Sequence, residues 1–164
     1  MGPEGTVELK PTSRGDFAAL RGLFDDPSFA GWGSTAGQMD DAEIRAKYLG
    51  ERLPQVECFL VLSSSLPVGL AQLHEDTARG GGMDLILLPT ARGRGVGSAS
   101  VHTLVERART VHQWAYVTVD PDLTNPDGIR FWQAVGFAPV HRCPGTPERA
   151  PYLLMRRPLD LEAG

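Results

Sequence analysis

Apolar side chains recur along the chain with two periods, one of two residues and one near 3.6. Val7 and Leu9 alternate with Glu8 and Lys10, which predicts a short strand. Thr12 or Ser13 then stands where a helix cap is expected, ahead of Phe17, Leu20 and Leu23-Phe24 at helical spacing. Asp26-Pro27 closes that helix. Asp40 and Asp41 open a second helix with Ile44, Tyr48 and Leu49 on one side; acids there suit the positive end of the helix dipole. Between the two helices Trp32 sits among glycines, as a core plug or as a lid over a ligand. Residues 57–63 and 67–74 read as two strands joined by the short turn Ser64-Ser65-Leu66-Pro67, a hairpin. His74-Glu75-Asp76 reads as a solvated strand end and Gly80-Gly81-Gly82 as a hinge.

Residues 83–111 organise the chain. Leu85-Ile86-Leu87-Leu88 is long enough for a buried strand, and Pro89 stops it by removing a donor and fixing φ. Arg92-Gly93-Arg94-Gly95-Val96-Gly97-Ser98 follows, and then Val101, Leu104, Val105 and Ala108 continue from Val96 at helical spacing. The reading is strand, glycine-rich turn, helix. The first N–H groups of a helix lack intrahelical partners and carry partial positive charge. Glycines let such amides close on an anion, and two arginines add forked donors. This is a phosphate cradle, with a pyrophosphate as the expected ligand. It is not a P-loop, because no lysine ends it, and Gly93-x-Gly95-x-Gly97 does not fit the dinucleotide spacing.

The rest of the chain repeats the alternation. Residues 114–120 form a strand with Ala115, Val117 and Val119 on one face and Tyr116, Thr118 and Asp120 on the other. Asn125-Pro126-Asp127 is a cap, a proline at the first helical position and an acid in the first turn. Ile129, Phe131, Trp132 and Val135 supply that helix's buried side, and Gly136 ends it. Residues 137–141 and 152–155 make two last strands. The predicted order is β-α-α-β-β-β-α-β-α-β-β.

That order, with Arg92-Gly93-Arg94-Gly95-Val96-Gly97, resembles the GNAT N-acyltransferase superfamily, whose acyl-CoA signature is Gln/Arg-x-x-Gly-x-Gly/Ala. A second family pattern, Asn-x-x-Ala-x-x-x-Tyr-x-x-x-Gly-Phe, is met by Asn125, Gly128, Trp132 and Gly136-Phe137. Trp132 replaces the tyrosine that many relatives use to protonate the leaving thiolate. The resemblance covers nearly the whole chain. It implies one α/β domain over 1–164, with a mixed, mostly antiparallel central sheet and helices on both faces. Acetyl-CoA is then the co-substrate. Its pyrophosphate would lie on residues 92–98, its pantetheine beside Leu87 and Leu88, and Asn125 would belong to the same site.

Inside the family the chain is similar to the aminoglycoside 6'-N-acetyltransferases. Val119-Asp120-Pro121-Asp122, Gly82-Met83-Asp84, Ala71-Gln72, and Glu148 ahead of Tyr152 carry that likeness. It implies an acceptor site with Asp84, Asp120 and Glu148 on the ammonium groups and with Trp32 and Tyr48 on sugar faces. Asp84 is also the candidate base. An ordinary aspartic acid titrates near ~3.9 and an alkyl amine near ~10, a mismatch of ~8 kcal/mol. Binding the ammonium and receiving its proton through water as attack proceeds suits Asp84 better than outright deprotonation. From Asp84 to Leu88 is four residues, or ~13 Å of strand, which an extended pantetheine arm can span.

Composition narrows the partners. A formal charge of −4 argues against a nucleic-acid ligand and permits a cationic small molecule. The expected acceptor is a polycationic small-molecule amine, with no metal; the chain would act as a monomer or homodimer. Cys58 and Cys143 do not make a disulfide framework, so a reducing cytoplasm is the expected compartment. The first residues contain no apolar signal region, and no run reaches membrane-spanning length. Two other functions compete. One is a siderophore-type acyltransferase acting on a lysine or ornithine side chain, whose relatives carry a histidine near Asp84. The other is a non-catalytic acyl-CoA-binding module, which Trp132 favours and the acids oppose.

Overall fold

The computed structural model describes residues 6–29, 39–77 and 79–159. Its elements are β1 (Val7–Pro11), α1 (Phe17–Asp25), α2 (Asp41–Lys47), β2 (Val56–Ser63), β3 (Leu66–Thr77), β4 (Gly80–Leu87), α3 (Val96–Thr110), β5 (Tyr116–Val119), α4 (Pro126–Ala134), β6 (Ala138–Cys143) and β7 (Tyr152–Pro158). Short 3₁₀ turns at Arg14–Asp16 and Pro89–Ala91 precede α1 and follow β4. The order agrees with the one read from the sequence. The seven strands form a sheet in the order β1-β2-β3-β4-β5-β7-β6. β4 and β5 pair in parallel, whereas β1–β2, β2–β3, β5–β7 and β6–β7 pair antiparallel.

The chain divides into two compact units, Met1–His74 with Asp84–Thr103, and Glu75–Met83 with Leu104–Gly164. The first buries Leu20, Phe24, Phe29, Ile44, Tyr48, Leu60 and Leu70 together. Phe24 meets Phe29 edge-on at 5.6 Å and Tyr48 at 5.4 Å. Thr12, read as a possible cap, is instead a buried tie whose hydroxyl donates to the Tyr48 carbonyl at 2.6 Å. At the next residue, the Ser13 N–H donates to Asp16 Oδ2 at 2.9 Å. Asp40 caps α2 by accepting from the Glu43 N–H at 2.8 Å. The hairpin turn is tighter than the sequence indicates, with Ser64 and Ser65 at φ of 51° and 70°. Positive φ at both central residues matches the right-handed twist of the flanking strands.

In the second unit the glycine triplet is not a hinge. Gly80, Gly81 and Gly82 pair with Tyr116, Val117 and Thr118 as the first residues of β4. The Tyr116 ring covers Gly80 so closely that a Cβ there would stand 2.5 Å from it. The ring is held by Thr77 Oγ1, 3.2 Å from its hydroxyl, and by the Arg156 guanidinium 5.2 Å from its centre. Hydrophobic periodicity misses this strand because glycine contributes no apolar side chain to the pattern. Trp132 is buried on α4 against Phe131 and Phe137, at 4.9 and 5.2 Å. Asn125 caps α4 by accepting from the Gly128 N–H at 3.0 Å.

Gly80→Ala is expected to destabilise the protein by about 1–3 kcal/mol, the usual cost of overpacking. Pairing it with Tyr116→Ser should recover part of the loss, as read from denaturant midpoints.

Candidate functional site

In the first unit, β3 fixes the position of β4. The Leu88 N–H donates to the Val68 carbonyl at 2.8 Å, and Gln72 Nε2 donates to Asp84 Oδ2 at 3.3 Å. The contacts run in opposite senses along the two segments, as antiparallel neighbours require. Gly69 permits the close approach, since a Cβ there would fall 2.4 Å from the Ile86 carbonyl oxygen and 2.7 Å from the Leu87 side chain.

Asp84 is about one-third exposed and is addressed from β3 by two side chains. His74 Nε2 stands 3.5 Å from the same Oδ2 that accepts from Gln72. Gln72 and His74 are two apart on a strand and so share one face. The orientation of the Gln72 amide follows from its other partners. Its Oε1 accepts from Arg52 Nη2 and from the Cys58 thiol, each at 3.4 Å, which leaves Nε2 to donate to the carboxylate. Arg52 is fixed in turn by two bonds to the Lys47 carbonyl, at 3.1 and 2.8 Å. Burial pushes the Cys58 thiol up to about 11, against the opposing charge of Arg52. Almost none of it is thiolate near neutral pH, so Cys58 supports Gln72 and is no nucleophile.

Past Leu88 the chain makes its 3₁₀ turn, and Arg92 then reaches back. Its Nε and Nη2 donate to the Leu87 carbonyl at 3.2 and 2.9 Å, which fastens the turn to the end of β4. The sequence suggests Arg92 as a phosphate contact, but this bonding makes it a brace as well. Gly93 and Gly95 take φ of 74° and 80°, the left-handed region that an L side chain enters at a cost. Among the described residues, and apart from the chain neighbours, nothing lies within 4 Å of the place where a Cβ would stand on either glycine. Leu87 is 8% exposed, and the Gly95 carbonyl accepts from the Ala99 N–H at 3.0 Å. The first turn of α3 carries no acid, whereas α2 begins with Asp41 and Glu43 and α4 with Asp127. The amides of Val96, Gly97 and Ser98 thus begin α3 behind a glycine turn, with no acid in the first turn to answer the helix dipole.

Tyr48 is 6% exposed and its ring belongs to the core of this unit, so the structure does not present it as a cover for a sugar. Trp32 lies outside the described residues. Asp120, Asn125 and Glu148 belong to the second unit. Asp120 is paired there, because Arg149 Nη1 donates to its Oδ2 at 3.2 Å and Nη2 to its carbonyl at 3.0 Å. The same guanidinium covers the Tyr152 ring at 3.6 Å. Glu148 is exposed in a turn closed by Thr146 and Arg149, with its N–H donating to Thr146 Oγ1 at 3.2 Å. Among the described residues, no group of His, Cys, Asp and Glu is arranged to hold a metal ion. No described helix is long and apolar enough to cross a membrane.

Sequence reasoning missed His74, Arg52 and Arg149. The Gln72-x-His74 spacing on a predicted strand was the available signal for the first. Arg52 and Arg149 gave none, since nothing in their spacing reveals which acceptor they meet.

Residues 17–137 match the model of the acetyltransferase (GNAT) family. No curated protein matches the chain. Among solved structures it is similar to AAC(6')-Ib in complex with ribostamycin and coenzyme A, with 24% identity, 93% of each chain covered and a TM-score of 0.80. It is also similar to spermidine N-acetyltransferase from Vibrio cholerae in complex with CoA and spermine, with 16% identity, 92% of this chain and 94% of that one covered, and a TM-score of 0.78. At such identities the likeness is one of fold. The family match spans most of the 164 residues, and the chain belongs to the acetyltransferase (GNAT) family.

Proposed function

We propose that the protein transfers acetyl from acetyl-CoA to a primary amine of a polycationic small molecule, with the 6'-amine of an aminoglycoside as the first candidate. One observation carries the reading. A partly exposed carboxylate, Asp84, and an open glycine-lined helix start, residues 93–98, flank a single stretch of chain in one compact unit. In this reading the amides of Val96, Gly97 and Ser98 hold the pyrophosphate behind Gly93 and Gly95, with Arg94 adding charge. Arg92 keeps the turn on Leu87, and Leu87 and Leu88 flank the pantetheine. Asn125, which caps α4, is proposed as a further cofactor contact.

Asp84 binds the acceptor ammonium and receives a proton from it as the nitrogen attacks the thioester carbonyl. Holding the two reactants together supplies much of the rate. The buried, protonated Cys58 fits direct transfer and not an acyl-cysteine. Asp120 and Glu148 are proposed to hold further ammonium groups, and at Asp120 a substrate cation competes with Arg149. Several carboxylates and a net charge of −4 favour a polycation. The likeness to a spermidine acetyltransferase supports a linear polyamine as the second reading.

Thiol release from acetyl-CoA, followed with ribostamycin and spermine in parallel and with product masses, tests the assignment. Faster turnover of ribostamycin, acetylated at the 6'-amine, supports it, and faster turnover of spermine moves the acceptor class to polyamines. CoA binding without turnover of any amine leaves a binding module.

Three variants or treatments probe the parts. Gly95→Val should raise the Kd for CoA by at least ~10-fold in calorimetry, through a strained turn and a blocked approach; unchanged affinity contradicts the cradle. Asp84→Asn should lower kcat by at least ~100-fold, the low end for general acid–base groups, with little change in the KM for acetyl-CoA. Iodoacetamide at about pH 8 should alkylate Cys143 in the native protein and spare Cys58, as peptide masses would show.

A further inference from the structure

The pair formed by His74 and Asp84 goes unused in that account. Resting on the proposed acetyl transfer, we infer that His74 is the second member of a proton relay. Asp84 takes a proton from the acceptor's ammonium, and His74 takes it from Asp84 and releases it to water.

The geometry supports the passage from Asp84 to His74 and on to solvent. His74 Nε2 is 3.5 Å from Asp84 Oδ2, and their side chains are 34% and 35% exposed. The carboxylate thus reaches an imidazole that itself reaches solvent. Gln72 holds the same oxygen from the same strand face, and Arg52 and Cys58 hold Gln72, so Asp84 stays beside His74. Other charged or titratable groups nearby are Glu57 on β2, whose neighbour Val56 pairs with His74, and Glu75 and Asp76, which follow His74 along β3.

The chemistry also favours a second carrier. A carboxylic acid ordinarily titrates about six pH units below an alkylammonium, and an imidazole about four. A histidine behind the carboxylate therefore stores the proton on a better-matched base. The protons balance. The ammonium loses one through Asp84 and His74 to water, and the freed lone pair forms the N–C bond as the C–S bond breaks. The second nitrogen proton ends on the departing thiolate. His74 acts through Asp84, so it is a positioning and relay residue, not one that touches the acceptor.

The test is kcat against pH, from about 6 to 9.5, for wild type, His74→Gln, His74→Ala and Asp84→Asn, using whichever of ribostamycin or spermine turns over. His74→Gln should lose about 10-fold near pH 7, below the ~100-fold floor for a direct acid–base group. The loss should shrink as pH rises and free amine accumulates. Added imidazole should restore most of the activity of His74→Ala and none of Asp84→Asn. A wild-type pH profile in His74→Gln overturns the relay, as does a pH-independent loss that imidazole leaves unchanged. A wild type that acetylates neither amine removes the proposed function and the relay together, whereas active wild type with an indifferent His74→Gln removes the relay alone.

Discussion

The antiparallel contact between β3 and the second half of β4 is the constraint on which the candidate site depends. Gly69 lets the strands close, the Val68 carbonyl takes the Leu88 amide, and Gln72 takes Asp84. That contact fixes where the carboxylate stands and where the chain leaves the sheet toward Gly93 and Gly95. Arg92 completes it by bonding the turn to the Leu87 carbonyl. An acid at one end of a strand segment and an anion-ready helix start at the other are therefore held by the same few backbone atoms. A loop would not hold two groups at a constant separation in this way.

Charge in the molecule is distributed by partner and not by residue type. Asp84 is held by Gln72 and faces His74, whereas Asp120 lies under Arg149. The exposed Asp120–Arg149 pair adds little to stability, as is general for surface ion pairs. Its consequence is selective: a cation approaching Asp120 must displace one already there. The α3 start differs from the starts of α2 and α4 in the opposite sense, because it has no acid of its own to answer its dipole.

The order of elements was legible because apolar spacing and caps act locally. Asp40, Asn125 and Gly136 each do what their residue types predict. The glycine turn ahead of α3 was legible as a turn because only glycine enters the left-handed region cheaply, and Gly93 and Gly95 both do. The glycine triplet was misread because the reason for Gly80 is Tyr116, which pairs with it from a distant strand. The family resemblance offers Tyr48 as a cover for sugar faces, but Phe24 and the surrounding core claim its ring. His74 looked solvated because its partner lies ten residues on, across a strand pairing that spacing alone does not supply. Long-range pairing is the part of the site that the sequence does not print.

The most direct measurement is a titration of isotopically labelled protein with CoA, following each backbone amide by NMR. The largest shifts are expected at Gly95, Val96, Gly97 and Ser98, with a second set running back along residues 84–88 and saturating at the same concentration. Large shifts elsewhere, with residues 93–98 unmoved, would contradict it.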